Sequence, residues 1–272
     1  MARYGARLPF LLKLLAAEEP LSLQAHPSSE QAREGFAREN RLGVPIDSAV
    51  RNYRDDSAKP ELVVALDRFD ALAGFRDPSA TVELLEALEV PELRKYVDLL
   101  SGQPDSDGLR ALFTTWITLP AGALSEVVDT VVAGCARYLH RDRTEFASEA
   151  ATIVELAQHY PGDPGVLGAL LLNRVSLAPG EGLYLNAGNL HAYLGGLAVE
   201  IMANSDNVLR GGLRYTAEAQ ASDTLHDLCV LAVPRLGAPA VALADPLPRP
   251  GLAPAVESRA AALIDAARSR RV

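Results

Sequence analysis

Of the five histidines in this 272-residue chain, two stand where chemistry could be done. His26 closes the run Leu21-Ser22-Leu23-Gln24-Ala25-His26, in which apolar and polar residues alternate. Side chains on a strand point alternately to its two faces, so Gln24 and His26 share one face with Ser22. The same parity pairs Lys59 with Glu61 in Lys59-Pro60-Glu61-Leu62, and His191 lies in a third strand-like segment between glycine-rich turns. Gln24, His26, Glu61 and His191 could together form an all-nitrogen and oxygen metal site with a position left for water or substrate, as catalytic zinc sites have. Spacing leaves the alternatives open. A histidine on a strand is commonly a core or rim residue, glutamine is an uncommon zinc ligand, and Glu61 could be a solvated edge charge.

Four more residues carry useful chemistry. Arg210, beside Gly211-Gly212, could bind phosphate or stabilise developing negative charge, or could simply pair with Asp206 on a loop. Glu200 and Asp206 are candidate acid/base groups, and Lys59 is a candidate cation or a plain strand-edge lysine. His140 and His159 fall near the C-terminal ends of helix-like segments, where a cation complements the helix dipole. His226 reads as surface.

The elements that must position these groups come in two textures. Leu8 to Ala17 fits a buried strand as well as a short helix. Ser28 to Asn40 reads as a serine-capped helix, Arg51 to Ala58 as a polar loop, Lys59 to Leu66 as a strand with proline near its start, and Ala71 to Phe75 as its continuation. From Pro78 the period changes. Ser79–Leu88, Pro91–Leu100, Asp107–Leu119, Leu124–Leu139, Glu145–His159 and Pro164–Leu172 space their apolar residues as amphipathic helices do. The sheet pattern then returns over Asn173 to Leu213. Here Pro179 to Gly182 is a turn, Leu183 to Leu185 a short strand, and Gly195-Gly196 a hairpin turn between His191–Leu194 and Leu197–Met202. Short strands with dense turns predict a small barrel or jelly roll with a ligand site at its mouth. The divisions are therefore 1–77 and 173–213 for the sheet, 78–172 for a helical insertion, and 214–272 for a tail. In that tail Val230 to Val256 shows little periodicity and Glu257 to Arg271 resembles a terminal helix.

Composition sets outer bounds. The 26 basic and 35 acidic residues give a net charge of -9, which offers no general footprint for nucleic acid or anionic lipid. Cys135 and Cys229 lack metal-type spacing and suggest reduced cytoplasmic thiols. Lys13 interrupts the apolar N-terminal run and Glu18-Glu19-Pro20 replaces a small-residue cleavage site, which argues against a signal peptide. No run is long enough to span a bilayer as a helix.

Three strings, LPFLLKLLAAEEPLSLQAHP, NYRDDSAKPELVVAL and HAYLGGLAVEIMANSDNVLRGGL, resemble the type I mannose-6-phosphate isomerases in order and separation. The resemblance implies a mixed, mainly β fold: a cupin-type jelly-roll barrel with an inserted α-helical domain. It implies a zinc-dependent aldose-ketose isomerase of mannose 6-phosphate and fructose 6-phosphate that supplies GDP-mannose precursors. On that pattern one Zn2+ is held by Gln24, His26, Glu61 and His191. Arg210 is an active-site residue, and Lys59, Glu200 and Asp206 line the pocket. A cytoplasmic, monomeric protein acting on a small sugar phosphate, with no nucleic-acid or membrane partner, is the expectation.

Departures from the pattern set a second expectation. The family pattern has further sheet before the position of Leu8 and a further barrel portion after that of Leu213, so the chain reads as truncated at both ends. Sheet edges left uncovered would threaten stability more than the ligand inventory. A non-catalytic zinc- or sugar-phosphate-binding cupin remnant and an isomerase of another phosphorylated sugar are the alternatives.

Overall fold

The computed structural model describes residues 8–141 and 143–213, and the backbone of 241–243. The sheet strands before the helices are β1 (Phe10–Ala17), β2 (Leu23–Ala25), β3 (Glu61–Ala65) and β4 (Phe69–Phe75), with helix α1 (Ser29–Arg41) between β2 and β3. Six helices follow: α2 (Pro78–Ala87), α3 (Arg94–Gly102), α4 (Ser106–Ile117), α5 (Ala121–Leu139), α6 (Ala147–His159) and α7 (Pro164–Ala169). The sheet resumes with β5 (Leu172–Leu177), β6 (Gly182–Leu185), β7 (His191–Ala203), β8 (Leu209–Gly212) and β9 (Val241–Leu243).

Every pairing is antiparallel, and β7 is the spine. Its second half, from Gly196, lies between β1 and β3, while its first half, from His191 to Gly195, lies between β2 and β4. β6 extends the β3 side to β9, β5 flanks β4, and β8 flanks β2. Among the described residues β1, β5, β8 and β9 each have a partner on one side alone, so the expected barrel is an open, mainly β fold carrying helices.

Gly195-Gly196 is not the hairpin turn its sequence suggests. The strand continues through without reversing, and the two glycines sit where it passes from one pair of partners to the other. Gly196 has φ 118°, and a Cβ there would lie 2.3 Å from the Arg68 carbonyl oxygen and 2.9 Å from the Phe69 Cα. Glycine here serves a bend and a close crossing of backbones, two of its roles besides turns.

Strand parity separates the two cores. Leu23 and Ala25 of β2, Leu72 of β4, Ala192 and Leu194 of β7 and Leu209 of β8 point to the helical side and join its buried core around Phe113 and Trp116. Ala71, Ala73 and Tyr193 point the other way, into a second core with Val63, Phe69 and Leu183. One face of the β2–β7–β4 sheet is therefore sealed by helices, and the opposite face is left to carry His191 and its neighbours.

The helix expectations hold in number, with ends displaced by capping chemistry. Ser28 caps α1 with a reciprocal Gln31 contact, and Asp77, Asp105 and Asp163 accept backbone N–H groups at the starts of α2, α4 and α7. The expected helix Pro91–Leu100 is a 3-10 turn at Pro91–Leu93 running into α3. The last helix stops at Ala169 and Leu172 already begins β5, because the run Val166 to Leu172 is buried on all sides and carries no period. Leu8 to Ala17 resolves to strand, with Leu12 and Leu14 exposed rather than buried. In the tail, β9 falls within the stretch read as lacking periodicity, and the expected helix Glu257–Arg271 lies outside the described residues, as do His226 and Cys229.

No single helix among the described residues is long and apolar enough to cross a membrane. The pair α4–α5 passes that test only jointly, bent by 112°, and it supplies much of the buried helical core.

Candidate metal centre

Three side chains from three separate parts of the chain meet at the start of β7. His26 follows β2, Glu61 opens β3 and His191 opens β7. Nε2 of His26 lies 3.1 Å from Oε1 of Glu61, Nε2 of His191 lies 3.4 Å from Oε2, and the two rings are 5.3 Å apart. All three are buried, and they form the one such cluster of potential ligands among the described residues.

The tautomers follow from the outer partners. Nδ1 of His26 is 2.8 Å from the Asn207 carbonyl oxygen and Nδ1 of His191 is 2.9 Å from that of Asn189. A carbonyl oxygen can only accept, so each Nδ1 carries the hydrogen and each neutral ring turns a bare Nε2 lone pair inward. Burial holds the His26 pKa below its usual value, which favours that neutral form. Two lone pairs then face a carboxylate at close range. Both Nε2 atoms and Oε2 of Glu61 lack hydrogen-bonded partners among the described residues, although such buried groups are nearly always satisfied. A divalent cation satisfies all three together, and imidazoles oriented by backbone carbonyls are the usual outer arrangement of metal-binding histidines. The residues fit a metal.

Glu61 is held ionised. Burial alone would raise its pKa, but the charge of a protonated His26 and the hydrogen bonds that protonated His191 and His26 rings donate outweigh it and bring it well below the ordinary carboxylate range; where the rings are neutral, a bound cation would take that part. Lys59 stands 3.1 Å from Oε1, the same-face pairing that strand parity requires.

Beside the cluster lies a polar cavity of about 210 Å³, lined by Gln24, Arg51, Arg54, Lys59, Asp206, Val208 and Arg210. Gln24 is paired in register with both His191 and Arg210, which sets it between the buried histidines and the cavity. Lys59 touches Glu61 and also lines the cavity, so the two regions adjoin. The cavities along α3, of about 360 and 510 Å³, contain none of these residues.

Glu200 is placed differently from the other expected residues. It is buried on β7 opposite Lys13 of β1 and Val63 of β3, and it accepts a 3.0 Å hydrogen bond from the Tyr193 hydroxyl. Burial, then the charge of Glu61, raises its pKa, while Tyr193 and Lys13 pull it down. The net effect is a carboxyl with a pKa above its ordinary value. Asp206 is exposed at the cavity, with its backbone N–H donated to Asp55.

Four contributors were not singled out from sequence. Tyr193 shares the face of His191 by parity and could have been found that way. Lys13 reads only as an interruption of an apolar run until β1 is paired with Glu200. Arg54 and Asn207 act through loop geometry: fully buried Asn207 accepts from the N–H groups of Arg54 and Asp55 and donates to the carbonyls of Asp55 and Ser57. His140 and His159 lie at the C-terminal ends of α5 and α6, where helix-end histidines were expected.

Comparison with known proteins gives a consistent picture. Residues 1–78 match the family model described as phosphomannose isomerase type I, catalytic domain. The chain is 40% identical over 213 residues to a mannose-6-phosphate isomerase of Escherichia coli, covering 78% of this chain and 51% of that protein. It is 33% identical over 222 residues to mannose-6-phosphate isomerase 1 of Arabidopsis thaliana, covering 78% of this chain and 49% of the other. Among solved structures, a mannose 6-phosphate isomerase from Salmonella typhimurium bound to fructose 6-phosphate and zinc superposes with a TM-score of 0.70 at 38% identity, covering 84% of this chain and 55% of that one. A zinc-bound holo mannose 6-phosphate isomerase gives 0.71 at 38% identity, covering 85% and 55%. The resemblance seen in the three sequence strings thus extends to the fold, and the chain spans about half the length of the curated relatives it matches.

Proposed function

We propose that this chain, a relative of the type I phosphomannose isomerases, carries the catalytic site of a zinc-dependent aldose-ketose isomerase that interconverts D-mannose 6-phosphate and D-fructose 6-phosphate. The observation that carries the reading is the inward-facing set of His26, Glu61 and His191, without hydrogen-bonded partners at both Nε2 atoms and Oε2, beside a cation-lined cavity. Gln24 would complete the ligand set from the cavity side. Zn2+, when bound there, supplies a Lewis-acid charge next to the sugar's carbonyl and hydroxyl oxygens.

The protein's own groups suit the rest of the reaction. Moving a carbonyl between C1 and C2 takes a proton from carbon beside a carbonyl and passes through an enediol, whose developing charge must be stabilised. Lys59 sits at the metal end of the cavity and can place positive charge near the sugar oxygens. Glu200, buried with a raised pKa, is suited to hold and return a proton through its hydrogen-bonded Tyr193. Arg210 and Asp206 line the entrance, the first as a cation for substrate and the second as an exposed acid/base group. Three divisions are part of the same reading: the sheet segments 1–77 and 173–213 as one catalytic unit, 78–172 as an inserted helical domain, and 214–272 as a divergent tail. The net charge of -9 offers no general footprint for nucleic acid or anionic lipid, which supports a small-molecule partner; the same reading takes the protein as cytoplasmic and monomeric.

The test is turnover of mannose 6-phosphate by the purified chain, with zinc added and then removed by chelator. Zinc-dependent formation of fructose 6-phosphate is expected. Folded, zinc-loaded protein without turnover would refute the isomerase and leave a binding protein, and faster turnover of another phosphorylated sugar would refute the substrate.

A further inference from the structure

Two guanidinium groups face the cavity with no acidic partner among the described residues. Arg54 lies in the loop between α1 and β3 and Arg210 lies on β8; both are exposed and both line the cavity. They are near enough that Arg54, after burial itself, lowers the proton affinity of Arg210.

The other cations of the cavity are already engaged. Arg51 donates Nε to the Tyr53 carbonyl at 2.7 Å and a terminal nitrogen to Asn40, and it lies 3.5 Å from Glu39. Lys59 stays within 3.1 Å of Glu61. Among the described cations of the cavity, Arg54 and Arg210 are left to meet an incoming anion, with the exposed Asp206 carboxylate on the same lining.

Their placement is enforced by one residue. The Asn207 side chain accepts from the backbone N–H of Arg54 at 2.7 Å and of Asp55 at 3.1 Å, and donates to the Asp55 and Ser57 carbonyls at 2.8 and 2.9 Å, which fixes the backbone from which the Arg54 side chain extends. Asn207 also lies three residues before Arg210, so both arginines hang from the same framework. Like charges held together repel unless an anion joins them, and the planar fork of guanidinium matches phosphate oxygens in pairs.

We propose that Arg54 and Arg210 together clamp the phosphoryl group of the substrate, and that Arg54 sets the preference of this site for phosphorylated over free sugars. The inference rests on the isomerase reading for its substrate class. It puts the phosphoryl group at the cavity mouth and leaves Lys59 at the metal end.

The experiment is calorimetric titration of the zinc-loaded chain with D-glucitol 6-phosphate, which has no carbonyl to isomerise, and with D-glucitol. Arg54→Gln should weaken glucitol 6-phosphate binding about 10- to 100-fold, the size expected for losing a charge-assisted contact. Zinc content should stay unchanged, and KM for mannose 6-phosphate should rise more than kcat falls. Arg54→Lys should recover part of the loss, since an ammonium keeps the charge without the fork. Unchanged affinity in Arg54→Gln overturns the clamp, as does a wild-type chain that binds no glucitol 6-phosphate. Should Arg54→Gln fail to fold, Arg54→Lys carries the test: a several-fold loss is expected, and wild-type affinity overturns the clamp. Wild-type binding without turnover of any sugar phosphate would instead refute the isomerase and leave the clamp standing.

Discussion

His26 gives its Nδ1 hydrogen to the backbone carbonyl of Asn207 at 2.8 Å, while the side chain of the same Asn207 holds the loop that carries Arg54. One buried residue thus sets the tautomer of a candidate metal ligand and the position of a candidate phosphate contact. Two otherwise separate halves of the site share a support.

Asn207→Ala should therefore damage both. The N–H groups of Arg54 and Asp55 and the Asp55 carbonyl lose the Asn207 side chain as partner, while the Ser57 carbonyl keeps the Ser205 hydroxyl at 3.3 Å; the loss costs about 2–4 kcal/mol of stability where water does not replace it. The backbone carbonyl that faces His26 survives the substitution but its loop is released, and zinc affinity should fall about 10-fold, as it does when outer partners of metal ligands are lost. Urea unfolding and a competitive zinc titration measure the two effects separately.

His191→Ala and Arg210→Ala should differ in kind. The first removes one of three converging donors and should abolish most bound zinc; the second removes a cavity cation and should spare zinc while reducing turnover. Chelation of the wild-type chain should also lower its unfolding free energy. Saturation at 100 times Kd stabilises a folded protein by about 2.7 kcal/mol, and that increment should be absent in His191→Ala. Elemental analysis with thermal unfolding in zinc and in chelator checks all three. Full zinc stoichiometry in His191→Ala would refute the ligand assignment.

How much of this could be read from the chain depends on how local each signal is. Parity within a few residues paired Gln24 with His26 and Lys59 with Glu61, and the structure keeps Lys59 against Glu61. Parity could not bring β2, β3 and β7 together, because that depends on β7 serving two sets of partners. Gly195-Gly196 misled for the same reason: glycine pairs mark turns and bent crossings alike, and the Arg68 backbone that settles the matter is remote in sequence. Asn207 and Arg54 were illegible because their roles are hydrogen bonds across about 150 residues, with no period or spacing to reveal them.

The two adjacent glycines should respond unequally to alanine. Gly196 has a positive φ and its Cβ would collide with backbone atoms of Arg68 and Phe69. At Gly195 the nearest atom to a Cβ is the Ala17 carbonyl oxygen at 3.7 Å, an ordinary contact. Gly196→Ala should cost about 2 kcal/mol or more, from combined strain and overpacking, whereas Gly195→Ala should stay within about 1 kcal/mol. Denaturant midpoints of the two variants check this, and equal midpoints would mean that the strand does not bend at Gly196.

Cys135 provides a pH prediction remote from the metal centre. It is fully buried on α5, and burial pushes its thiol up from 9.0 to about 12. Above pH 9 the unfolded chain releases this proton while the folded chain retains it. The unfolded state then binds fewer protons, so stability falls as pH rises. The stabilising effect of the neutral thiol is complete below pH 9 and is lost towards pH 12, a change on the order of 3–4 kcal/mol. Cys135→Ala should flatten the stability profile over that window relative to the wild-type chain, whatever it costs at neutral pH through the lost sulfur. In the native wild-type protein at pH 8, iodoacetamide should leave the Cys135 peptide unmodified until denaturant is added, as peptide-level mass spectrometry would show. Rapid native alkylation of Cys135 would mean that α5 opens without global unfolding, and the alkaline loss of stability should then be correspondingly smaller.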